Sequence, residues 1–179
     1  TLNRRSSMVL GEISPSFHSL QPPTHSRRDQ DAYRNRVPEG LPVIITVLSG
    51  SRADYGLLEW PVKVLSKHFD VRFEKMWGLS FRDAVWRMSE PTIPPDLLLV
   101  LGDRYEILAA ATAAHLQRIP IAHIGGGDVT EGSYDDAMRD SISRMAAVHL
   151  VTSTSAMARL SHLGYRNIHL VGNPGIDYI

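Results

Sequence analysis

The chain contains no cysteine, which excludes a disulfide framework, a thiol nucleophile and a cysteine-ligated zinc site. An excess of charge is also missing, because 19 lysines and arginines balance 19 aspartates and glutamates. Nucleic-acid binders usually carry a basic surplus, so no nucleic-acid partner is expected. No apolar run approaches the roughly 20 residues that cross a bilayer. The chain therefore reads as soluble, with no membrane partner, and its composition is compatible with the cytoplasm, the location expected for it. It has no GxGxxG fingerprint, no repeat of solenoid length and no spacing of a defined metal motif. Neither a cofactor nor a resident metal is expected.

What remains suits one globular domain behind a tail: 179 residues, 43% apolar and 21% charged. Residues 1–40 are rich in serine, proline and arginine and have little periodic apolar pattern. Their composition is that of an organelle transit peptide, but no amphipathic helix is evident, and they read as a flexible N-terminal extension. The folded domain is expected over residues 41–179.

The domain is organised around Pro95 to Arg139. Leu97 to Leu101 is an unbroken apolar run between Pro95-Asp96 and Gly102-Asp103, as in a strand buried on both faces of a parallel sheet. An alanine-rich helix over Ile107 to Leu116 follows, then a second short apolar strand, Pro120 to Ile124. Both strands end in glycine-containing polar turns, Gly102-Asp103-Arg104 and Gly125-Gly126-Gly127-Asp128. In open α/β sheets ligands lie outside the carboxyl ends of the strands, so the two turns are expected to face one pocket.

Upstream, the apolar run from Val43 is a further strand, leading through Ser49 to Gly56 into a helix over roughly Leu57 to Lys67. Small residues in that turn admit a ligand to the backbone, and Arg52 offers a fork for phosphate or carboxylate. Phe69 to Phe73 alternates as a strand. The segment FRDAVWRM is an amphipathic helix with Phe81, Val85 and Met88 on one face, and Trp77 and Trp86 read as packing residues. Downstream, Asp135 and Asp136 stand near the start of a helix, where carboxylates suit the helix dipole. Ile142, Met145, Ala146 and His149 form its core-facing stripe. Leu150 to Thr152 is a short strand, Ser153 or Ser155 caps a helix through Leu163, and Ile168 to Val171 is the last strand. This alternation predicts an α/β fold, a doubly wound parallel sheet.

Three turns at strand ends thus carry Arg52 and Asp54; Asp103, Arg104 and Glu106; and Asp128, Glu131, Asp135 and Asp136. Carboxylates gathered with a few arginines suit proton transfer on an anionic substrate, since like charges push carboxylate pKa values apart and let one act as base while another is acid. They also suit a hard cation with oxygen ligands, but the spacing matches no defined site.

Four segments carry a resemblance: GSRADYGLL from Gly50, PDLLLVLGDRYEILAAA from Pro95, PIAHIGGGDVTEGSYDDAMRDSISRMAAVH from Pro120 and VGNPGID from Val171. In this order they resemble the N-terminal half of UDP-N-acetylglucosamine 2-epimerases, and look most like the hydrolysing branch; the non-hydrolysing branch looks more like RPE where this chain has RADYG. The resemblance implies a Rossmann-like domain, the N-terminal half of a glycosyltransferase-B-like fold, with a UDP-sugar substrate, no cofactor and a homo-oligomeric assembly. It implies elimination of UDP to a 2-acetamidoglucal, then hydration to N-acetylmannosamine for sialic-acid-type sugars. By motif position, Asp103 and Asp135 are the catalytic candidates, joined by Glu131 and by Asp128, which stands where similar enzymes usually have glutamate. Arg52, Arg104, His123, Gly125, Gly126, Gly127, Asp136 and Arg139 are expected to bind substrate. A core histidine satisfied by its neighbours is the other reading of His123. The chain departs from the family in a much shortened stretch between Phe73 and Pro95 and in the absence of the second domain.

Overall fold

The computed structural model describes residues 42–89, 91 and 93–176; the expected N-terminal extension lies outside them. Six parallel strands form one sheet in the order β2-β1-β3-β4-β5-β6. They are β1 (Ile44–Ser49), β2 (Asp70–Lys75), β3 (Leu97–Leu101), β4 (Ile121–Ile124), β5 (Val148–Val151) and β6 (Ile168–Leu170). The crossover helices, in chain order, are α1 (Arg52–Leu65), α2 (Phe81–Ser89), α3 (Tyr105–Leu116), α4 (Asp136–Met145) and α5 (Thr154–His162). From β1 the chain steps outward to β2, then returns past β1 to β3 and continues the other way. That reversal makes the carboxyl ends of β1 and β3 the switch point of the sheet, where open α/β folds place their ligands.

Burial follows the two-residue period of the strands. Ile45, Val47, Leu97, Leu99, Leu101, Ala122 and Ile124 share one apolar cluster with Leu58 of α1. Leu48, Leu98, Val100 and Ile121 point the other way, into a cluster with α2, α3 and α4. Helix α3 lies against both α2 and α4, and Ala109, Ala110, Ala111, Ala113 and Ala114 are all buried. A helix that is apolar all round belongs inside, and alanine lets it approach the sheet closely.

Several boundaries differ from the expectation. Helix α1 starts at Arg52, five residues early, because Ser51 takes an extended N-cap conformation and its side chain accepts the Asp54 N–H at 3.1 Å. Gly56 therefore lies inside the helix and not in a ligand-facing turn. Helix α4 ends at Met145, Ala146 is extended and β5 begins at Val148. His149 is accordingly a strand residue rather than the last member of a helical stripe. On α2 the inward residues are Ala84 and Met88. Trp86, two positions from each, points to the opposite side and is 69% exposed, and Phe81 is 46% exposed, so neither is a core residue.

Candidate active site

The turns after β1 and β3 touch. A β-carbon on Gly50 would lie 2.9 Å from Ile107 Cγ1 and 3.0 Å from Arg104 Cδ, so only glycine permits the contact. Arg104 then forks onto Glu106, with Nε 3.1 Å from Oε2 and Nη2 2.9 Å from Oε1. Glu106 is fully buried, and these bonds raise the Arg104 pKa above its ordinary value. Across the same turn Asp54 has its pKa raised, first by desolvation and then by the charge of Asp103, against the lowering effects of Ser51 and Arg104. Asp54 is thus the carboxyl at this edge whose protonated form is favoured relative to water. Arg52 is exposed in the first turn of α1 and makes no hydrogen bond or ion pair among the described residues.

The second group is built on α4. Arg139, 6% exposed, donates to the carboxylates of Asp103 and Asp136, to the Asp128 carbonyl at 2.9 Å and to the Thr130 hydroxyl at 3.3 Å. One guanidinium therefore joins the turn after β3, the loop after β4 and the start of α4. The Asp136 carboxylate also accepts the Thr130 N–H, at 3.1 and 3.2 Å. Both oxygens of Asp128 accept from the Thr152 hydroxyl at 2.8 Å, which ties the loop after β4 to the end of β5. Asp135 accepts from the Ser133 hydroxyl at 3.2 Å. Glu131 is exposed and makes no hydrogen bond or ion pair among the described residues.

The glycines and the histidine occupy the floor of this site. Gly125 and Gly127 have φ of +80°, a left-handed conformation that glycine adopts at least cost. A β-carbon on Gly127 would meet the Ala156 carbonyl at 2.8 Å, and one on Gly126 would meet Ser143 Oγ at 2.7 Å and His123 Nδ1 at 3.1 Å. The close approach these glycines permit is to the protein's own interior. His123 is fully buried, with Nε2 2.7 Å from the Gly102 carbonyl and Nδ1 3.0 Å from Ser143 Oγ. Burial lowers its pKa to about 4. It is a satisfied core histidine whose bonds end on the turn that carries Asp103. Its neighbour across the β4–β5 pair is His149, whose pKa desolvation lowers to about 4 and whose buried Nδ1 has no partner among the described residues.

Of the expected residues, Asp103 and Asp136 meet Arg139 through their carboxylates and Asp128 through its carbonyl, Asp135 and the glycines border them, and Arg104 lies at the adjoining edge. Arg52 and Glu131 are exposed and bond to none of these residues among the described ones. Sequence reasoning missed Ser143 and Thr152. Each is a small hydroxyl residue whose partner, His123 or Asp128, is about 20 residues distant and in another element. Among the described residues no three histidine, aspartate or glutamate side chains are placed to hold a metal ion.

A family profile described as UDP-N-acetylglucosamine 2-epimerase matches residues 88–179, just over half of the chain. The UDP-N-acetylglucosamine 2-epimerase of Neisseria meningitidis is 27% identical, covering 74% of this chain and 46% of its own length. The hydrolysing GDP/UDP-N,N'-diacetylbacillosamine 2-epimerase of Campylobacter jejuni is 43% identical over 40% of this chain and 19% of its own. The chain thus spans less than half the length of either relative. In fold it is similar to the N. meningitidis epimerase crystallised with UDP-GlcNAc, with a TM-score of 0.66 at 20% identity over 75% of this chain and 47% of that one. The Methanocaldococcus jannaschii epimerase in complex with UDP-GlcNAc and UDP gives a TM-score of 0.62 at 16% identity, covering 73% of this chain and 47% of that one. With a family model that matches more than half of its sequence, the chain belongs to the UDP-N-acetylglucosamine 2-epimerase family.

Proposed function

We propose that the full-length protein is a hydrolysing 2-epimerase of a UDP-acetamido sugar, and that residues 41–179 are the first of two domains that close on the substrate. The observation that carries this reading is the meeting of the Asp103 and Asp136 carboxylates and the Asp128 carbonyl on Arg139 at the carboxyl ends of β3 and β4, in a chain of this family. Epimerisation at C2 requires a carboxylate to take the C2 proton while the bond from C1 to the UDP oxygen breaks, leaving a 2-acetamidoglucal. Water then adds its oxygen to C1, and an acid returns a proton to C2 from the opposite face. The balance is UDP-GlcNAc plus water giving UDP plus N-acetylmannosamine.

In this reading Asp103 is the principal acid–base group, and Asp128, Asp135 and Glu131 are the further acids and bases. Each positioned group contributes about 10² to 10⁴ in rate. Arg52 and Arg104, exposed at the switch point, meet the diphosphate. Arg139 and Asp136, which pair with each other, shape the sugar side of the site, and Gly125 to Gly127 and His123 form its floor. The hydrolysing outcome is favoured by the RADYG sequence that opens α1. A related sugar is the second reading, favoured by the Campylobacter relative and by a Legionella pneumophila UDP-N,N'-diacetylbacillosamine 2-epimerase (hydrolyzing) that is 41% identical over 48% of this chain.

Incubating the full-length protein with UDP-GlcNAc, and separately with UDP-N,N'-diacetylbacillosamine, while following UDP and free sugar by NMR tests the proposal. Release of UDP with a 2-epimerised sugar from one of them, abolished by Asp103→Asn, supports it. A folded protein that releases neither overturns it. A nucleotide-sugar substrate also favours the cytoplasm. Exposed Trp86 and Leu116 on the outer helices favour a homo-oligomer, which light scattering on the full-length protein checks.

A further inference from the structure

Among the described residues Ser143 makes no hydrogen bond to a carboxylate, yet it stands one helical turn beyond Arg139 on the same face of α4. Both side chains are buried, at 1% and 6% exposure. Arg139 reaches the Asp103 side chain directly. Ser143 reaches the backbone of the same turn through His123, whose Nδ1 is 3.0 Å from Ser143 Oγ and whose Nε2 is 2.7 Å from the Gly102 carbonyl.

The direction of these bonds follows from what each atom can do. A carbonyl oxygen only accepts, so the proton of the neutral ring is on Nε2. Nδ1 then carries a lone pair and no proton, and the Ser143 hydroxyl donates to it. The tautomer is set from both ends. Gly102 is held on its other side as well, its N–H donating to the Ile124 carbonyl at 3.0 Å, and it turns the chain with φ of +80°. Both polar groups of the residue before Asp103 are therefore anchored to β4. Gly126 completes the arrangement, since a β-carbon there would fall 2.7 Å from Ser143 Oγ and 3.1 Å from His123 Nδ1.

We infer that Ser143 is a positioning residue for Asp103: by fixing the His123 tautomer it holds the Gly102 carbonyl, so that α4 grips the Asp103 turn by the backbone while Arg139 grips it by the carboxylate. This deepens the proposed function and rests on the reading of Asp103 as the acid–base group. It names a hydroxyl that makes no hydrogen bond to a carboxylate among the described residues as a determinant of where the reacting carboxylate sits. The protein has a structural reason to need the second grip. An ion pair alone leaves the Asp103 backbone free to pivot about the guanidinium, and small displacements of a reacting group are costly in rate.

The test uses full-length protein labelled with ¹⁵N at histidine and ¹³C at the aspartate carboxyl, with His123 and Asp103 assigned by the loss of their signals in His123→Gln and Asp103→Asn. The parent is expected to carry its proton on Nε2 of His123 and to show a hydrogen-bonded Nδ1. In Ser143→Ala the Nδ1 signal moves toward that of a free, unprotonated ring nitrogen and the Asp103 carboxyl signal shifts. The same variant lowers kcat on the order of tenfold while KM changes by less than about twofold, and Ser143→Thr, which keeps the hydroxyl, restores both signals and kcat. If the alanine variant does not fold, Ser143→Cys, similar in size and a weaker donor, gives the same shifts in smaller degree. A His123 protonated on Nδ1, an Asp103 signal unmoved by loss of the hydroxyl, or an unchanged kcat in Ser143→Ala overturns the inference. Should the parent turn over no UDP-acetamido sugar, the proposed function fails, and the two resonances still decide whether Ser143 sets the Asp103 turn.

Discussion

Arg139 pairs with Asp103 across 36 residues of sequence, joining the first turn of α4 to the end of β3. The pair decides the local architecture because the guanidinium is buried and its other nitrogen serves Asp136 and the Asp128 carbonyl. Removing a buried partner of this kind strands the charges left behind. Arg139→Ala is expected to destabilise the fold by about 3 kcal/mol. Arg139→Lys should recover only part of that loss, since a point charge cannot replace the fork. Urea unfolding of the variants, read as the shift in midpoint at constant m-value, checks this.

The two buried histidines predict how stability depends on pH. Both have pKa values lowered to about 4 in the folded state, against about 6.5 in an unfolded chain. Between those values the unfolded state binds more protons, so stability falls as pH falls from 6.5 towards 4. The slope is roughly 1.4 kcal/mol per pH unit for each histidine. Asp54, whose pKa is raised, works in the opposite sense, over a window that opens at its ordinary carboxylate value. Urea midpoints measured at pH 7, 6 and 5 should decline, and His149→Phe, which keeps an aromatic ring beside Tyr165 at a ring distance of 4.9 Å, should remove about half of the decline.

Two glycine substitutions separate packing from backbone propensity. At Gly126 a β-carbon would collide with Ser143 Oγ and His123 Nδ1, whereas at Gly56 nothing lies within 4 Å. Gly126→Ala is expected to cost roughly 1–3 kcal/mol by overpacking. Gly56→Ala, in the interior of α1, should add about 0.5–1 kcal/mol because alanine favours helix. Thermal melts of the two variants should move in opposite directions.

The parallel sheet was legible in the sequence because strands buried on both faces write themselves as apolar runs, as Leu97 to Leu101 does over its whole length. Helix starts were less legible. The Ser51 cap competes with a downstream stretch of equal helix propensity, and only the cap geometry places the first turn at Arg52. Asp103, Asp128 and Asp136 could be gathered from motif position and the strand-end rule. Arg139 was expected at the substrate, and in the fold both of its terminal nitrogens donate to the protein. Whether a polar side chain faces inward or outward depends on partners brought from other elements, and no local pattern reports that. Ser143 and Thr152 were invisible for the same reason, since a single hydroxyl leaves no periodic trace.

The last prediction distinguishes the two carboxylates that share Arg139. Asp136 accepts the Thr130 N–H with both oxygens and sits in the first turn of α4, so its bonds brace the loop. Among the described residues Asp103 is held only through Arg139 and the backbone of its turn, which leaves its second oxygen available to a substrate. Asp136→Asn should therefore lower the melting temperature and, in the folded fraction, cost less kcat than Asp103→Asn. Asp103→Asn retains shape and loses basicity, and should lower kcat by about 10² to 10⁴. Steady-state kinetics of both variants of the full-length protein, set beside their melts, provide the comparison. Equal loss of kcat in the two, at equal folded fraction, would move the acid–base role from Asp103 to the Arg139 cluster as a whole.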